Sequence, residues 1–194
     1  MAVFGLTGSL ASGKSSVLVM LKKKGANIFD ADQQAHKYYR NKKGGVYKKV
    51  VKKFPQCVDE GRINRKLLRE IVFSDKAKLK VLERIVHPEV IKDLSTWIRS
   101  RKKRKGTYVA EVALLFEKKL QSKFEGVILV NVKRSILIDR IMKKYKFSKG
   151  EARRRLAFYK PIREKIKGAD YIIDNNKSLK SLKKEVDLLW KKIR

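Results

Sequence analysis

The chain is 194 residues long and carries 51 lysines and arginines against 19 aspartates and glutamates, a formal net charge of +32. That length suits one domain with room for an inserted lobe, large enough to bury a core without disulfides or structural metal. A single cysteine, Cys57, excludes an intrachain disulfide, and no segment approaches the ~20 consecutive apolar residues of a membrane helix, so a cytoplasmic protein with no membrane partner is expected.

Residues 2–7 read as a short buried strand. The run Gly8-Ser9-Leu10-Ala11-Ser12-Gly13-Lys14-Ser15 follows at once and satisfies G-x-x-x-x-G-K-[ST], and residues 16–21 continue as a helix. A strand that feeds a glycine-bounded loop into a helix aims backbone N–H groups at an anion, and the helix dipole adds positive potential there. Gly8, Ala11, Ser12, Gly13, Lys14, Ser15 and Ser16 are therefore candidate contacts to a nucleotide such as ATP. Lys14 supplies charge for the outer phosphates and the Ser15 hydroxyl a ligand for Mg²⁺.

Residues 27–30 predict a second strand and 33–41 a helix. Gly44-Gly45 breaks the chain, 46–54 resumes a helix that Pro55 ends, and 59–62 is a turn. Residues 65–73 and 75–86 predict two helices, with Pro88 at the first position of a further one. Residues 108–112, the continuous apolar run 127–132 and 170–174 read as strands; 135–145, 149–158 and the amphipathic 179–193 read as helices. Strands separated by helices imply an α/β fold, a parallel sheet with helices on both sides and ligands at the carboxyl ends of the strands. The basic runs Lys22-Lys23-Lys24, Lys52-Lys53, 101–105 and Lys191-Lys192 lie on or beside these helices and read as solvated faces. A lysine-rich proteome, a high growth temperature or a polyphosphorylated substrate would each favour such a bias.

Several residues carry chemistry. If the backbone stays extended through Asp30-Ala31-Asp32, two carboxylates project together, and one could orient an attacking hydroxyl and accept its proton. The alternative is a pair of turn or cap residues. Glu111 interrupts an apolar strand, a costly position unless a cation is near. It either holds Mg²⁺ through water or sits at a strand end open to solvent. Arg140 and the cluster Arg153, Arg154, Arg155 and Arg163 suggest a basic lid over a transferring phosphoryl group, hinged at Phe147-Ser148; singly, each would be a surface arginine. His87, before Pro88, is either structural or functional. His36 has no assigned role, and Tyr38, Tyr39 and Trp97 read as core or groove residues.

The ordered set of Gly5-Leu6-Thr7-Gly8 through Gly13-Lys14-Ser15, Asp30-Ala31-Asp32, Gly61-Arg62-Ile63-Asn64-Arg65, His87-Pro88, Glu111-Val112-Ala113-Leu114-Leu115-Phe116-Glu117 and Ile173-Asp174-Asn175-Asn176 resembles the dephospho-CoA kinases over nearly the whole chain. The resemblance implies a P-loop fold with a five-stranded parallel sheet, a helical CoA-binding lobe near 33–105 and a lid near 143–168. It implies ATP- and Mg²⁺-dependent phosphorylation of the ribose 3′-hydroxyl of dephospho-CoA. By position, Asp32 is the catalytic base, with Lys14 and Arg140 on the phosphates. Arg65, His87, Leu115 and Phe116 line the acceptor site, Asn175 lies near adenine, and Ser15 and Glu111 serve the metal. The chain departs from the family at Ser9 and Ala11, where the loop usually has glycine; Ala11 supplies the same N–H groups only at a negative φ, the value expected of a residue with a side chain. Glu111 and Ala113 stand for Asp and Pro, Pro55 for Gly, Tyr159 for Gln and Lys177 for Gly.

Two other readings compete: a nucleoside or nucleotide kinase with another acceptor, and a nucleic-acid-binding NTPase suggested by the charge. No known nucleic-acid module is evident, so no specific nucleic-acid partner is expected. The oligomeric state is left open.

Overall fold

Apolar β-branched runs alternating with amphipathic stretches build a sheet covered by helices. The computed structural model describes residues 2–101 and 104–194; Lys102 and Lys103 of the 101–105 basic run lie outside the described residues. In chain order the elements are β1 (Ala2–Thr7), α1 (Lys14–Lys23), β2 (Asn27–Asp30), α2 (Ala31–Arg40), α3 (Gly45–Lys53), β3 (Val58–Asp59), β4 (Arg62–Ile63), α4 (Arg65–Ser74), α5 (Lys76–Arg99), β5 (Thr107–Glu111), β6 (Gly126–Asn131), α6 (Arg134–Tyr145), α7 (Lys149–Leu156), α8 (Ile162–Lys167), β7 (Tyr171–Asp174) and α9 (Leu179–Ile193). Among the described residues no helix is long and apolar enough to cross a membrane.

The chain divides into two compact units. One joins the chain up to Asp30 with Ile98–Arg194, and the other is Ala31–Trp97. The first holds a five-stranded, all-parallel sheet in the order β2-β5-β1-β6-β7. Its central strand β1 leads into the glycine loop, where the strand order reverses and ligands of such sheets bind. Phe4 and Leu6 of β1, Val109 of β5, Ile128 and Val130 of β6 and Ile173 of β7 pack with Val17 and Leu21 of α1 and with Leu182, Val186, Leu189 and Ile193 of α9. The two-residue period of the strands puts these side chains on one sheet face. At the amino edge Ala2 pairs with Thr107, whose hydroxyl donates to the Ile193 carbonyl at 3.1 Å.

The second unit is helical around the core of Val46, Val50, Phe54, Cys57, Ile63, Leu68, Val72 and Val86. One expectation is corrected here and one is met. Residues 76–99 form one helix, α5, with Pro88 inside it rather than at the start of a new one. Arg84 and Pro88 are both exposed, so water can bond the carbonyl that the missing proline N–H leaves open. The turn at 59–62 is the tip of a small antiparallel hairpin, β3–β4, whose central Glu60 and Gly61 have φ of 47° and 66°. Two positive φ values mark the tight turn that matches strand twist.

Candidate active site

The glycine loop sits between the end of β1 and the first turn of α1. Gly13 caps α1 with φ 93°, and the first turn contains no acidic residue, so no carboxylate of α1's own first turn offsets the positive helix end. Lys14 is 8% exposed, and its ammonium donates to the carbonyls of Gly8 at 3.0 Å and Ser9 at 3.1 Å. Ser12 is buried, whereas Ser15 and Ser16 are exposed in the first turn. Ala11 has φ 59°, which corrects the expectation of a negative value. A methyl group is the smallest side chain an L-residue can bring to the left-handed region, at a cost of about 1–2 kcal/mol. Leu10 and Ala11 rest on the apolar cluster of Val132, just beyond β6, with Leu137, Ile138 and Ile141 of α6 and Ala152 and Leu156 of α7.

Asn175, just beyond β7, reaches the loop from the far end of the sequence. Its side-chain amide donates to the Ser12 carbonyl at 2.8 Å, and its own carbonyl accepts from the Arg140 guanidinium at 2.9 Å. The structure therefore joins three predicted residues, Ser12, Arg140 and Asn175, in one chain of contacts.

The carboxylates are arranged differently from the expectation. β2 ends at Asp30 and α2 starts at Ala31, so Asp30 and Asp32 do not share an extended strand face. Asp32 falls in the first turn of a helix, where a negative charge suits the dipole. The acid in register with Asp30 is Glu111, its neighbour across the β2–β5 pair. Glu111 is 6% exposed, which excludes the solvent-open strand end.

The arginines expected to form a lid separate into two kinds. Ser148 caps α7 by accepting from the Glu151 N–H at 3.2 Å. The Glu151 carboxylate binds Arg155 at 2.6 Å and also pairs with Arg154. Burial alone would raise the Glu151 pKa, but its hydrogen bonds to Arg155 and Arg154 hold it below the usual carboxylate value. Arg155 is buried and lies 5.1 Å from the Phe147 ring, so it ties α7 to the segment that precedes it. Arg153 and Arg163 are exposed.

Leu115 and Phe116, expected to line the acceptor site, are buried, at 0% and 3% exposure. Leu115 packs so closely on Gly5 that a Cβ there would stand 2.5 Å from its methyl, and Phe116 lies against Gly168. The next residue, Glu117, forms an ion pair with the fully buried Lys165 ammonium at 2.8 Å and accepts a hydrogen bond from the Lys160 N–H at 2.8 Å, with Tyr159 under the ammonium at 5.1 Å. The sequence marks Glu117 within a motif but carries no local signal for Lys165, one basic residue among many.

In the helical unit, the exposed Arg65 donates to His36 Nδ1 at 2.8 Å, which puts the proton of a neutral His36 on Nε2 and gives that histidine a positioning role. His87 Nδ1 stands 3.9 Å from the Glu83 carboxylate one turn earlier in α5. A cavity of about 580 Å³ is lined by five cations, Arg40, Lys42, Lys43, Arg62 and Arg65, and by the rings of Tyr39 and Tyr47. No acid lines it. Burial pushes the Tyr39 hydroxyl up to about 12. The basic stretch 40–43 before Gly44-Gly45 was the available signal for this pocket.

The family model for dephospho-CoA kinase matches residues 2–181. The dephospho-CoA kinase of Aquifex aeolicus is 36% identical over 191 residues, covering 97% of this chain and 96% of that protein. That of Lactobacillus johnsonii is 38% identical over 192 residues, with 97% and 96% covered. The crystal structure of TT1252 from Thermus thermophilus superposes with a TM-score of 0.78 at 30% identity, covering 100% of this chain and 98% of that one. With the glycine loop, the sheet order and the acidic strand ends all in place, these matches mean that the chain belongs to the dephospho-CoA kinase family.

Proposed function

We propose that the chain transfers the γ-phosphoryl group of ATP to the ribose 3′-hydroxyl of dephospho-CoA, giving ADP and coenzyme A, the last step of coenzyme A synthesis. The observation that carries the reading is the loop Gly8–Ser15 at the amino end of α1, whose first turn holds no acid, with the Lys14 ammonium gathered against it. Backbone N–H groups from Gly13 to Ser16 hold the β- and γ-phosphates, and Lys14 exchanges its carbonyl partners for phosphate oxygens. Asp32 accepts the hydroxyl proton as the new O–P bond forms and the bond from the γ-phosphorus to the β–γ bridging oxygen breaks. Arg140, with Arg153 and Arg163 of the lid, offsets charge on the transferring group.

Ser15 and Glu111 are hard oxygen donors of the kind Mg²⁺ takes when it arrives on a triphosphate and keeps part of its water shell, and Asp30 adds a second carboxylate in register. Mg²⁺ bound there would neutralise the β- and γ-phosphate oxygens. The cationic cavity beside Arg65 supports an acceptor that carries a diphosphate, and Tyr39 and Tyr47 offer faces to its apolar parts. The buried Cys57, kept as a thiol, suits a cytoplasmic setting.

A coupled ADP-release assay with purified protein, ATP and Mg²⁺ tests this, with mass detection of the product. Dephospho-CoA should be consumed and gain one phosphoryl group, while nucleosides, nucleoside monophosphates and RNA should leave turnover at background. Turnover with a nucleoside alone, or stimulation by RNA at physiological salt, would replace the proposal.

A further inference from the structure

Asn175 is a buried polar residue that makes three hydrogen bonds to distant parts of the chain. Its N–H donates to the Asn131 carbonyl at 3.0 Å, adding one step to the β6–β7 ladder beyond Asn131 and Asp174. Its carbonyl holds Arg140 and its side-chain amide holds the Ser12 carbonyl. The fit is tight: a Cβ at Gly13 would stand 2.3 Å from the Asn175 amide nitrogen, so residue 13 must be glycine both for its φ of 93° and for this approach.

The peptide bond explains why this matters. In a planar trans peptide the carbonyl of one residue and the N–H of the next point in opposite directions. Fixing the Ser12 carbonyl toward Asn175 therefore aims the Gly13 N–H the other way, to the side on which α1 presents its first amides. We infer that Asn175 is a positioning residue for the triphosphate: it acts through the Ser12–Gly13 peptide, turning one anion-binding N–H into place, and ties Arg140 to the same point, rather than reading the adenine. This role replaces the adenine contact expected for Asn175, and it rests on ATP binding at the loop as proposed above.

The test uses the full chain with Asn175→Ala, which removes the donor, and Asn175→Asp, which keeps the shape but sets a carboxylate against the Ser12 carbonyl. Dissociation constants for Mg-ATP and for inorganic tripolyphosphate, which has no base to recognise, are measured by calorimetry beside the KM for dephospho-CoA. Both variants should weaken ATP and tripolyphosphate by the same factor, about tenfold for one lost hydrogen bond, and more for Asn175→Asp. The KM for dephospho-CoA should stay within about twofold, a split that general loosening of the fold would not produce. Loss of ATP with tripolyphosphate unaffected would restore the adenine contact and overturn the inference. Unchanged binding of both ligands, or an equal rise in the acceptor KM, would also overturn it. If Asn175→Asp does not fold, Asn175→Ala with the Gly13 amide proton shift on adding tripolyphosphate decides: an unchanged shift counts against the role. Wild-type protein that binds neither ligand would instead remove the nucleotide reading itself.

Discussion

The sheet unit and the helical unit bury their chains in different ways. Every residue of β5 is buried, as are all but one each of β1 and β6. In the helical unit α2 buries none of its ten residues, and the 24-residue α5 buries only Val86 and Leu94. The phosphate loop thus hangs from a stiff frame, held by Asn175 and by the Leu10 and Ala11 contacts. Asp32 and Arg65 stand exposed on helices with thin cores. Thinly buried helices open at lower free energy than central strands. The unit that carries the glycine loop is buried for rigidity, and the unit that carries Asp32 and Arg65 leaves more room for adjustment.

Paired core truncations probe this contrast most strongly. Leu129→Ala in β6 should cost about 4–5 kcal/mol, near the top of the range for buried leucine, because strands on both sides prevent collapse of the cavity. Leu68→Ala in α4 should cost about 2–3 kcal/mol, because its smaller cluster can close around the gap. Urea unfolding checks both, and equal losses would erase the distinction. Next comes Asp32→Asn. It should lower kcat at least ~100-fold while leaving the KM for ATP and the melting temperature nearly unchanged, as expected for an exposed general base. A large drop in melting temperature would show that α2 depends on that charge for its structure.

The smallest effect concerns alkaline pH. Burial, with the hydrogen bond to Asp93 next, raises the Tyr38 hydroxyl to about 12, and burial does the same for Tyr39. The folded unit therefore keeps protons that the unfolded chain releases from pH ~10 upward. The stabilisation is complete below pH ~10 and fades as pH rises towards ~12. Helical circular dichroism followed through that window should fall, and Tyr38→Phe should shallow the slope. A slope unaltered by the substitution would exclude Tyr38 as its source.

Much of this frame was legible because the governing interactions are local. The glycine loop declares itself in eight consecutive residues, and the apolar runs of β1 and β6 match a covered parallel sheet. The Asp30-Ala31-Asp32 geometry was not legible, because the competition between extending a strand and starting a helix at Ala31 is decided beyond three residues. Pro88 misled for a related reason: whether proline breaks a helix depends on whether water can reach the orphaned carbonyl. The Asn175–Ser12 bond spans 163 residues, and no periodicity encodes such a pairing. The arginines of α7 look alike in sequence, and only burial and the reach of Glu151 separate Arg155 from Arg153.

Thr107 touches both extremities of the polypeptide, pairing with Ala2 on one side and hydrogen-bonding Ile193 on the other. Ala2 and Ile193 are therefore neighbours, and a few glycine and serine residues could join these two points into a continuous ring. Reopening that ring at the exposed Lys42-Lys43 bend would give a circular permutant with every strand of the sheet intact.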